Sequence, residues 1–218
     1  MNNIVLTGGI NILDKYSDNA HIQVKSDSTL NAININRNLN LDITIENDAK
    51  LVLNMFDYVN DLTININVIS SDRSKFTLNA CFICEGKYEL NIDNNLYGSD
   101  IENTVNIRGI NEKSGTVKIL MNGVVAGETK NNIMNEYARI INKSDSANVL
   151  IPNLIVNTNE VSANHGVSIG GFRDNELFYL MSKGIDKHTA KKIIEEGFIL
   201  SIMDETNKET IKNILIGR

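Results

Sequence analysis

The first 150 residues alternate between apolar and polar side chains with a period of two. Such alternation is typical of a β-strand that buries one of its two faces. Polar or glycine-containing pairs, such as Asn47-Asp48 and Asn122-Gly123, interrupt the alternation and predict turns. The pattern predicts strands at about positions 39–45, 51–53, 62–68, 76–78, 88–92, 105–107 and 117–121.

Many short strands joined by short polar turns favour an all-β solenoid, sandwich or barrel. The alternate asparagines Asn34, Asn36, Asn38 and Asn40 suggest a solenoid, in which like side chains can stack between coils. No strict repeat length accompanies them. Periodicity therefore leaves solenoid and sandwich nearly equal.

After about residue 171 the apolar period changes to that of helices, so we expect a β domain over 1–170 and a helical domain over 171–218. Asp174 is placed as an N-cap, Gly184 as a helix stop and Asp186 as the next N-cap. A third helix is expected at about 205–216. The predicted inward side chains are Leu177, Phe178, Leu180, Met181, Ala190, Ile193, Ile194, Phe198, Ile202, Ile211, Ile214 and Leu215. On this reading the helices pack on the end of the β domain.

Composition narrows the class of protein. The chain has 218 residues, 42% of them hydrophobic and 22% charged, which suits a globular protein with a sizeable core. A net charge of −6 argues against nucleic acid as the main partner. No apolar stretch approaches the ~20 residues of a membrane-spanning helix, and the N-terminus lacks the pattern of a signal peptide. We therefore expect a cytoplasmic protein that does not insert into membranes.

Cys81 and Cys84 form a Cys-x-x-Cys pair, which can bind a metal or carry redox chemistry on a loop or at a helix start. Here the pair lies in a predicted strand, where residues three apart point to opposite faces. Both thiols could bind one metal only if the strand ends or bulges between them, and Glu85-Gly86 directly afterwards makes such a turn possible. The simpler interpretation, one core thiol and one incidental thiol, is favoured from the residues alone.

The C-terminal third carries a distinctive set of motifs. Residues 152–171 read P-N-L-I-V-N-T-N-E-V-S-A-N-H-G-V-S-I-G-G, followed by L-F-Y-L-M-S-K-G-I-D from Leu177 and A-K-K-I-I-E-E-G-F from Ala190. This succession resembles the C-terminal segment of the SufB/SufD family, the scaffold proteins of iron–sulfur cluster assembly. The resemblance implies a right-handed parallel β-helix core with a small α-helical domain, and it decides between solenoid and sandwich.

His165 is the main candidate metal ligand. From the residues alone, a histidine after a predicted strand at 154–161 and before Gly166 is expected at a turn, usually as a solvated surface residue. The resemblance implies a role for His165 in iron–sulfur cluster assembly. Three alternatives are open: the chain resembles SufD in role, it uses Cys81 or Cys84 as ligands of a transient cluster, or it holds no cluster. Gly166 makes the His-Gly pair similar to that of SufD. Residues 135–139 lack the cysteine that SufB-type scaffolds carry there.

The resemblance also implies partners. The C-terminal helices would dock a SufC-like ABC ATPase, and the β core would form a homodimer or a heterodimer with a SufB/SufD paralogue. The proposed docking residues are Phe178, Tyr179, Lys183, Gly184 and His188. The expected function is a scaffold, not an enzyme. The alternatives are a β-helix protein that binds or cleaves carbohydrate, and a purely structural interaction module.

Overall fold

The computed structural model describes residues 2–13, 18–143 and 145–216, and it contains parallel β-strands followed by helices. The strands are β1 (Asn2–Leu6), β2 (Gly9–Ile12), β3 (Asn19–Val24), β4 (Ser28–Ile33), β5 (Leu39–Ile45), β6 (Lys50–Val59), β7 (Leu62–Ser70), β8 (Lys75–Cys84), β9 (Lys87–Leu96), β10 (Glu102–Asn111), β11 (Thr116–Val125), β12 (Asn132–Asn142), β13 (Val149–Val156) and β14 (Val161–Gly170). The helices are α1 (Asp174–Ser182), α2 (Lys187–Leu200) and α3 (Glu205–Ile216).

Successive strands alternate between two sheets. The odd-numbered strands form one seven-stranded parallel sheet, here called sheet A, and the even-numbered strands form a second, sheet B. Each coil of the chain therefore adds one strand to each sheet. This arrangement confirms the predicted parallel β-helix with a C-terminal set of helices.

The space between the two sheets is filled by the apolar members of the alternating pattern. One row illustrates the packing: Leu30, Leu53, Leu78 and Val105 are register partners on β4, β6, β8 and β10, and all are fully buried. Because parallel partners in register share a face, each coil stacks its inward side chains on those of the previous coil. The burial of these stacked layers accounts for the strand pattern read from the sequence.

Asparagine side chains form ladders between coils on the outer faces. On sheet A, the amide of Asn65 donates to Asn40 at 2.7 Å, and that of Asn91 donates to Asn65 at 2.8 Å. Of the four alternate asparagines from Asn34 to Asn40, Asn40 joins a ladder of this kind. The prediction of stacking is wrong for Asn34 and Asn36, which take positive φ angles of 57° and 55° and bond to each other.

The three helices occur where the sequence predicts them, with one change at a cap. Asp186 caps α2 by accepting hydrogen bonds from the backbone N–H groups of His188 and Thr189. Gly184 lies directly after the C-cap of α1 and has a φ of 84°, as expected of a glycine that stops a helix. Asp174 is not an N-cap, because the cap position is Arg173 and Asp174 is already helical. No helix in the described ranges is long and apolar enough to span a membrane.

The helices lie against the outer face of sheet B, and not on the end of the solenoid as expected. Ile199, Leu200 and Ile211 form an apolar cluster with the outward residues Phe56 and Cys81, among others, of that sheet. Sheet B carries a second asparagine ladder, in which Asn79 donates to Asn54 at 3.0 Å. Asn54 in turn donates to Asp204, just before α3, at 3.2 Å, so the ladder extends the contact with the helices. The outer face of sheet B therefore contributes to a second apolar core. The alternating pattern does not predict this core, because it indicates only one buried face for each strand.

This position changes which helical residues are buried. Phe178 and Ile193, both expected to face inward, are 75% and 44% exposed. No residue of α1 is buried. In α3, Ile211 is buried and Ile214 and Leu215 pack against the same cluster, as predicted.

Candidate functional site

His165 lies in the middle of a strand. The sequence places it at a turn, and this is wrong: β13 ends at Val156, and β14 runs from Val161 to Gly170 through His165. Gly166 is a strand residue beside the ring of Tyr137, where an added Cβ would lie 3.2 Å from Cδ1. The glycine therefore makes room for a neighbouring ring instead of forming a turn.

Glu136 is the register partner of His165 on the preceding coil. It is fully buried, and it continues the apolar row of Leu78 and Val105. Because register partners share a face, the imidazole of His165 is placed on the inward side, over Glu136. His165 itself is exposed, since β14 is the last strand of sheet B. The inward row thus changes from apolar to ionisable in the last two coils.

The carboxylate of Glu136 is only partly satisfied. Its Oε1 accepts a hydrogen bond from Asn94 at 3.2 Å, whereas Oε2 has no partner in the described part of the chain. Asn94 accepts in turn from Asn103, which also donates to Ser70 at 2.9 Å. Burial raises the pKa of Glu136, and the bond from Asn94 opposes this shift.

Sequence reasoning missed Glu136, although a signal was present. Met134, Glu136 and Ala138 alternate at the inward positions of one strand, and a carboxylate at an inward position of a solenoid is unusual. Imidazole and carboxylate are both competent ligands for iron. The arrangement places one candidate ligand of each type in register, and one carboxylate oxygen of Glu136 is buried without a partner in the described part of the chain.

The two cysteines lie on opposite faces of β8, as the spacing predicts. Cys81 is buried in the cluster between sheet B and the helices, and its thiol donates to the carbonyl of Ile199 at 3.0 Å. Cys84 is buried inside the solenoid, and its thiol donates to the carbonyl of Gly86 at 3.1 Å. The two thiols therefore cannot reach one metal ion in this conformation.

Burial also favours the protonated form of both thiols. It raises the pKa of Cys81 strongly, with Arg108 opposing, and raises the pKa of Cys84 to about 11. The thiolate is the form that binds metals. β8 and β14 are three strand steps apart, or roughly 14 Å, so the structure does not bring either cysteine to His165. Across residues 2–13, 18–143 and 145–216, no three His, Cys, Asp or Glu side chains form a metal-binding group.

The candidate docking residues divide between two places. Phe178 and Tyr179 are 75% and 62% exposed on α1, and the Lys183 ammonium lies 5.7 Å from the Tyr179 ring centroid. Gly184 follows at the end of α1. His188 lies in the first turn of α2 and lines a separate cleft with Lys143 and other residues. Four of the five residues therefore lie on α1 or directly after it, and all four are exposed.

The last coil exposes apolar side chains on both of its strands. β13 and β14 have a neighbouring strand on one side only in their sheets. Unpaired strand edges with apolar side chains are a common template for association. The exposed apolar residues of this coil are Val149, Ile151, Ile155, Val156, Val167 and Ile169.

Comparison with known proteins assigns the chain to a family. Residues 12–198 match the family model described as "SUF system FeS cluster assembly, SufBD core domain". The match covers most of the solenoid and extends through α1 into α2. It includes the last coil and all five candidate docking residues.

Individual relatives match over shorter stretches. The SufD iron–sulfur cluster assembly protein of Bacillus subtilis is 33% identical over 66 residues, covering 30% of this chain and 15% of the relative. A SufBD family protein of Pyrococcus horikoshii is 27% identical over 112 residues, covering 49% and 25%. The matched region thus spans a quarter or less of these relatives' length. The extent of the family match establishes that the chain belongs to the SufBD core-domain family of the SUF system.

Proposed function

We propose that this protein is a scaffold component of a SUF-type iron–sulfur cluster assembly complex and catalyses no reaction of its own. One observation carries the proposal: the inward row is apolar through Val105 and becomes ionisable at Glu136 and His165. Packing alone does not require a buried carboxylate beneath an exposed imidazole. Because the chain belongs to a cluster-assembly family, the change from apolar to ionisable side chains is consistent with a site that binds iron.

The cluster is a transient cargo in this proposal. His165 supplies an imidazole nitrogen, and Glu136 supplies its free oxygen when it loses its proton. Two ligands hold an iron ion weakly, so the remaining ligands come from the second protein of the complex. A partial ligand set suits a scaffold that must release its cluster to a recipient. The buried thiols of Cys81 and Cys84 could bind the cluster only after a conformational change that exposes them.

The second protein is either another copy of this chain or a SufB/SufD paralogue. We place it on the last coil, where the edges of β13 and β14 and the side chains of Ile155, Val167 and Ile169 are uncovered. Covering these apolar groups stabilises association, and main-chain hydrogen bonds along the edges fix the orientation. This interface would bring further ligands toward His165.

The ATPase partner is placed on α1. Phe178, Tyr179 and Lys183 form an exposed apolar surface with a cation at its edge, beside the turn at Gly184. Aromatic side chains on a helix are typical anchors for a partner groove. A SufC-like ABC ATPase bound there would transmit its closure through α2 to the outer face of sheet B. We expect this complex in the cytoplasm, where free thiols persist.

The experiment is co-purification with the organism's SufC-like ATPase, with ATP hydrolysis measured in the presence and absence of this chain. We expect a stable complex and faster hydrolysis. The variant Phe178→Ala should lose most of the binding without losing thermal stability, because the side chain is exposed. Ile10→Ala is the matched control, since Ile10 is 74% exposed at the opposite end of the solenoid.

Two results would contradict the proposal. One is the absence of any complex and of any change in hydrolysis with the wild-type chain. The other is an equal loss of binding in Phe178→Ala and Ile10→Ala, which would indicate nonspecific apolar contact. Equal binding by all three proteins would move the docking surface away from α1.

A further inference from the structure

Three arginines converge on a cleft between the β-solenoid and the helices. The cleft has a volume of about 530 Å³, and its walls come from β10, β12, α1, α2 and the segment before α1. Arg108 and Arg139 project from the outer face of sheet B, and Arg173 precedes α1. The ligand-binding cavities of proteins are commonly of this size.

Arg108 and Arg139 are register partners on neighbouring strands. Like charges placed directly opposite each other across a sheet are destabilising. Within the described residues, neither guanidinium forms an ion pair or a hydrogen bond. Each instead lies over the Phe198 ring, 5.5 Å and 5.4 Å from its centroid. The phenyl ring thus holds two unneutralised cations side by side at the cleft.

The cleft has an excess of positive charge. Glu176 is the one carboxylate among its lining residues, and it lies 3.4 Å from Arg173. The pKa of Arg139 is lowered by burial and by the charges of Arg173 and Arg108, with Glu176 opposing. Arg108 and Arg139 therefore account for the excess positive charge of the cleft. Other register pairs on the outer faces include a neutral asparagine pair, Asn40 with Asn65, and an opposite-charge pair, Lys75 with Glu102.

We propose that this cleft binds a phosphate group, either as free phosphate or as the head of a small phosphate ester. Paired guanidiniums match the tetrahedral dianion through two-pronged hydrogen bonds. The cleft exceeds the volume of one phosphate, and Tyr179, Leu180 and Ile194 line the space beyond the arginines. An ester with a small apolar or aromatic body fits that space. This inference does not rest on the proposed scaffold function, although Tyr179 belongs to both surfaces.

Calorimetric titration of the purified chain tests the proposal, with inorganic phosphate, phenyl phosphate and benzenesulfonate as probes at fixed ionic strength. Inorganic phosphate and phenyl phosphate should both bind, and the monoanionic sulfonate should bind at least about ten-fold more weakly. Tighter binding of phenyl phosphate would support an ester ligand. Equal binding of the two phosphates would support free phosphate. Absence of binding by both phosphates would overturn the proposal.

Variants locate the site. Arg108→Gln and Arg139→Gln should each weaken phosphate binding by about ten-fold or more. Lys50→Gln, which removes an exposed cation at the start of β6, is the control and should bind as the wild type does. Without phosphate, each arginine variant should melt at or above the wild-type temperature, because a like-charge contact is removed. Unchanged binding in both arginine variants would overturn the proposal.

Discussion

The thiol of Cys81 donates a hydrogen bond of 3.0 Å to the carbonyl oxygen of Ile199, joining β8 to α2 across 118 residues of sequence. The contact lies in the apolar cluster that attaches the helices to sheet B. It gives Cys81 a structural role that needs no metal. A substitution at Cys81 therefore measures how much this contact contributes to the attachment of the helices.

Replacing Cys81 by alanine should destabilise the protein by about 1–3 kcal/mol, because it removes a buried side chain and a hydrogen bond. Denaturant unfolding gives the change in free energy. In the native state both cysteines should resist a thiol reagent that labels them after unfolding. Rapid native labelling of Cys81, or an unchanged stability in Cys81→Ala, would contradict the structural role.

The asparagine ladder under α3 should contribute more than the exposed ladder on sheet A. Asn79 donates to Asn54 at 3.0 Å and accepts from Asn106 at 3.2 Å. Asn79→Ala should cost about 1–3 kcal/mol of unfolding free energy, from two hydrogen bonds in a partly buried position. Asn65→Ala, which removes two comparable bonds in an exposed ladder, is the matched control and should cost less. Equal losses would show that burial of the ladder is unimportant.

Iron retention should depend on the inward pair at the last coil. After anaerobic reconstitution of the assembled complex, Glu136→Gln should hold roughly ten-fold less iron and His165→Ala less still. His21→Ala removes a histidine from β3, far from the last coil, and serves as the control. Iron content and visible absorption measure the effect. Wild-type iron content in His165→Ala would remove this residue from the ligand set.

Asp57 should make stability depend on pH. It lies inside the solenoid at 1% exposure, and burial raises its pKa from 3.8 to about 7. The backbone N–H groups of Ile35 and Asn36 oppose this shift, although neither completes a hydrogen bond of normal geometry. Between about pH 4 and pH 7 the unfolded chain has lost this proton while the folded protein keeps it.

The free energy of unfolding should therefore fall as the pH rises through that window, and the Asp57 contribution should be fully present below it. Denaturant titrations at several pH values test this. Asp57→Asn should flatten the profile between pH 4 and pH 7, whereas Asp27→Asn, at an exposed position, should not. A wild-type profile that rises through the window, or an unaltered slope in Asp57→Asn, would contradict the assignment.

A charge on the last coil should prevent association. Val167 is 38% exposed on β14. Val167→Asp would place an unpaired carboxylate in the proposed interface. Because burial of an unpaired charge is unfavourable, we expect this variant to be a monomer. Sedimentation of the chain, alone or with its paralogue, measures the change. The control Ile10→Asp places the same charge on β2 and should leave association intact. If both variants associate as the wild type does, the interface lies elsewhere.

Part of the candidate site was readable from the sequence. The opposite faces of Cys81 and Cys84 followed from the period of a strand, and the cap at Asp186 followed from its side-chain chemistry. His165 was identified through a family resemblance, but its position in a strand was not. The Gly166 that suggested a turn is explained by the Tyr137 ring on the neighbouring coil.

The sequence could not predict which residues of adjacent coils are neighbours, because the coils differ in length. Asn2 pairs with Ala20, whereas Arg108 pairs with Arg139, so one coil advances 18 residues and another 31. Without a fixed repeat, no spacing predicts which residues meet. The partnership of Glu136 with His165 and the arginine pair both depend on that register.

The sequence by itself determined the local elements: strands from alternation, the start of α2 from the cap at Asp186, and the family from the motifs after Pro152. These depend on a residue and its near neighbours along the chain. The tertiary structure decided which outer face the helices cover, which places Cys81 beneath α2 and leaves Phe178 exposed. It also decided which charges meet, because register and docking are set by the sum of many side-chain contacts between distant segments.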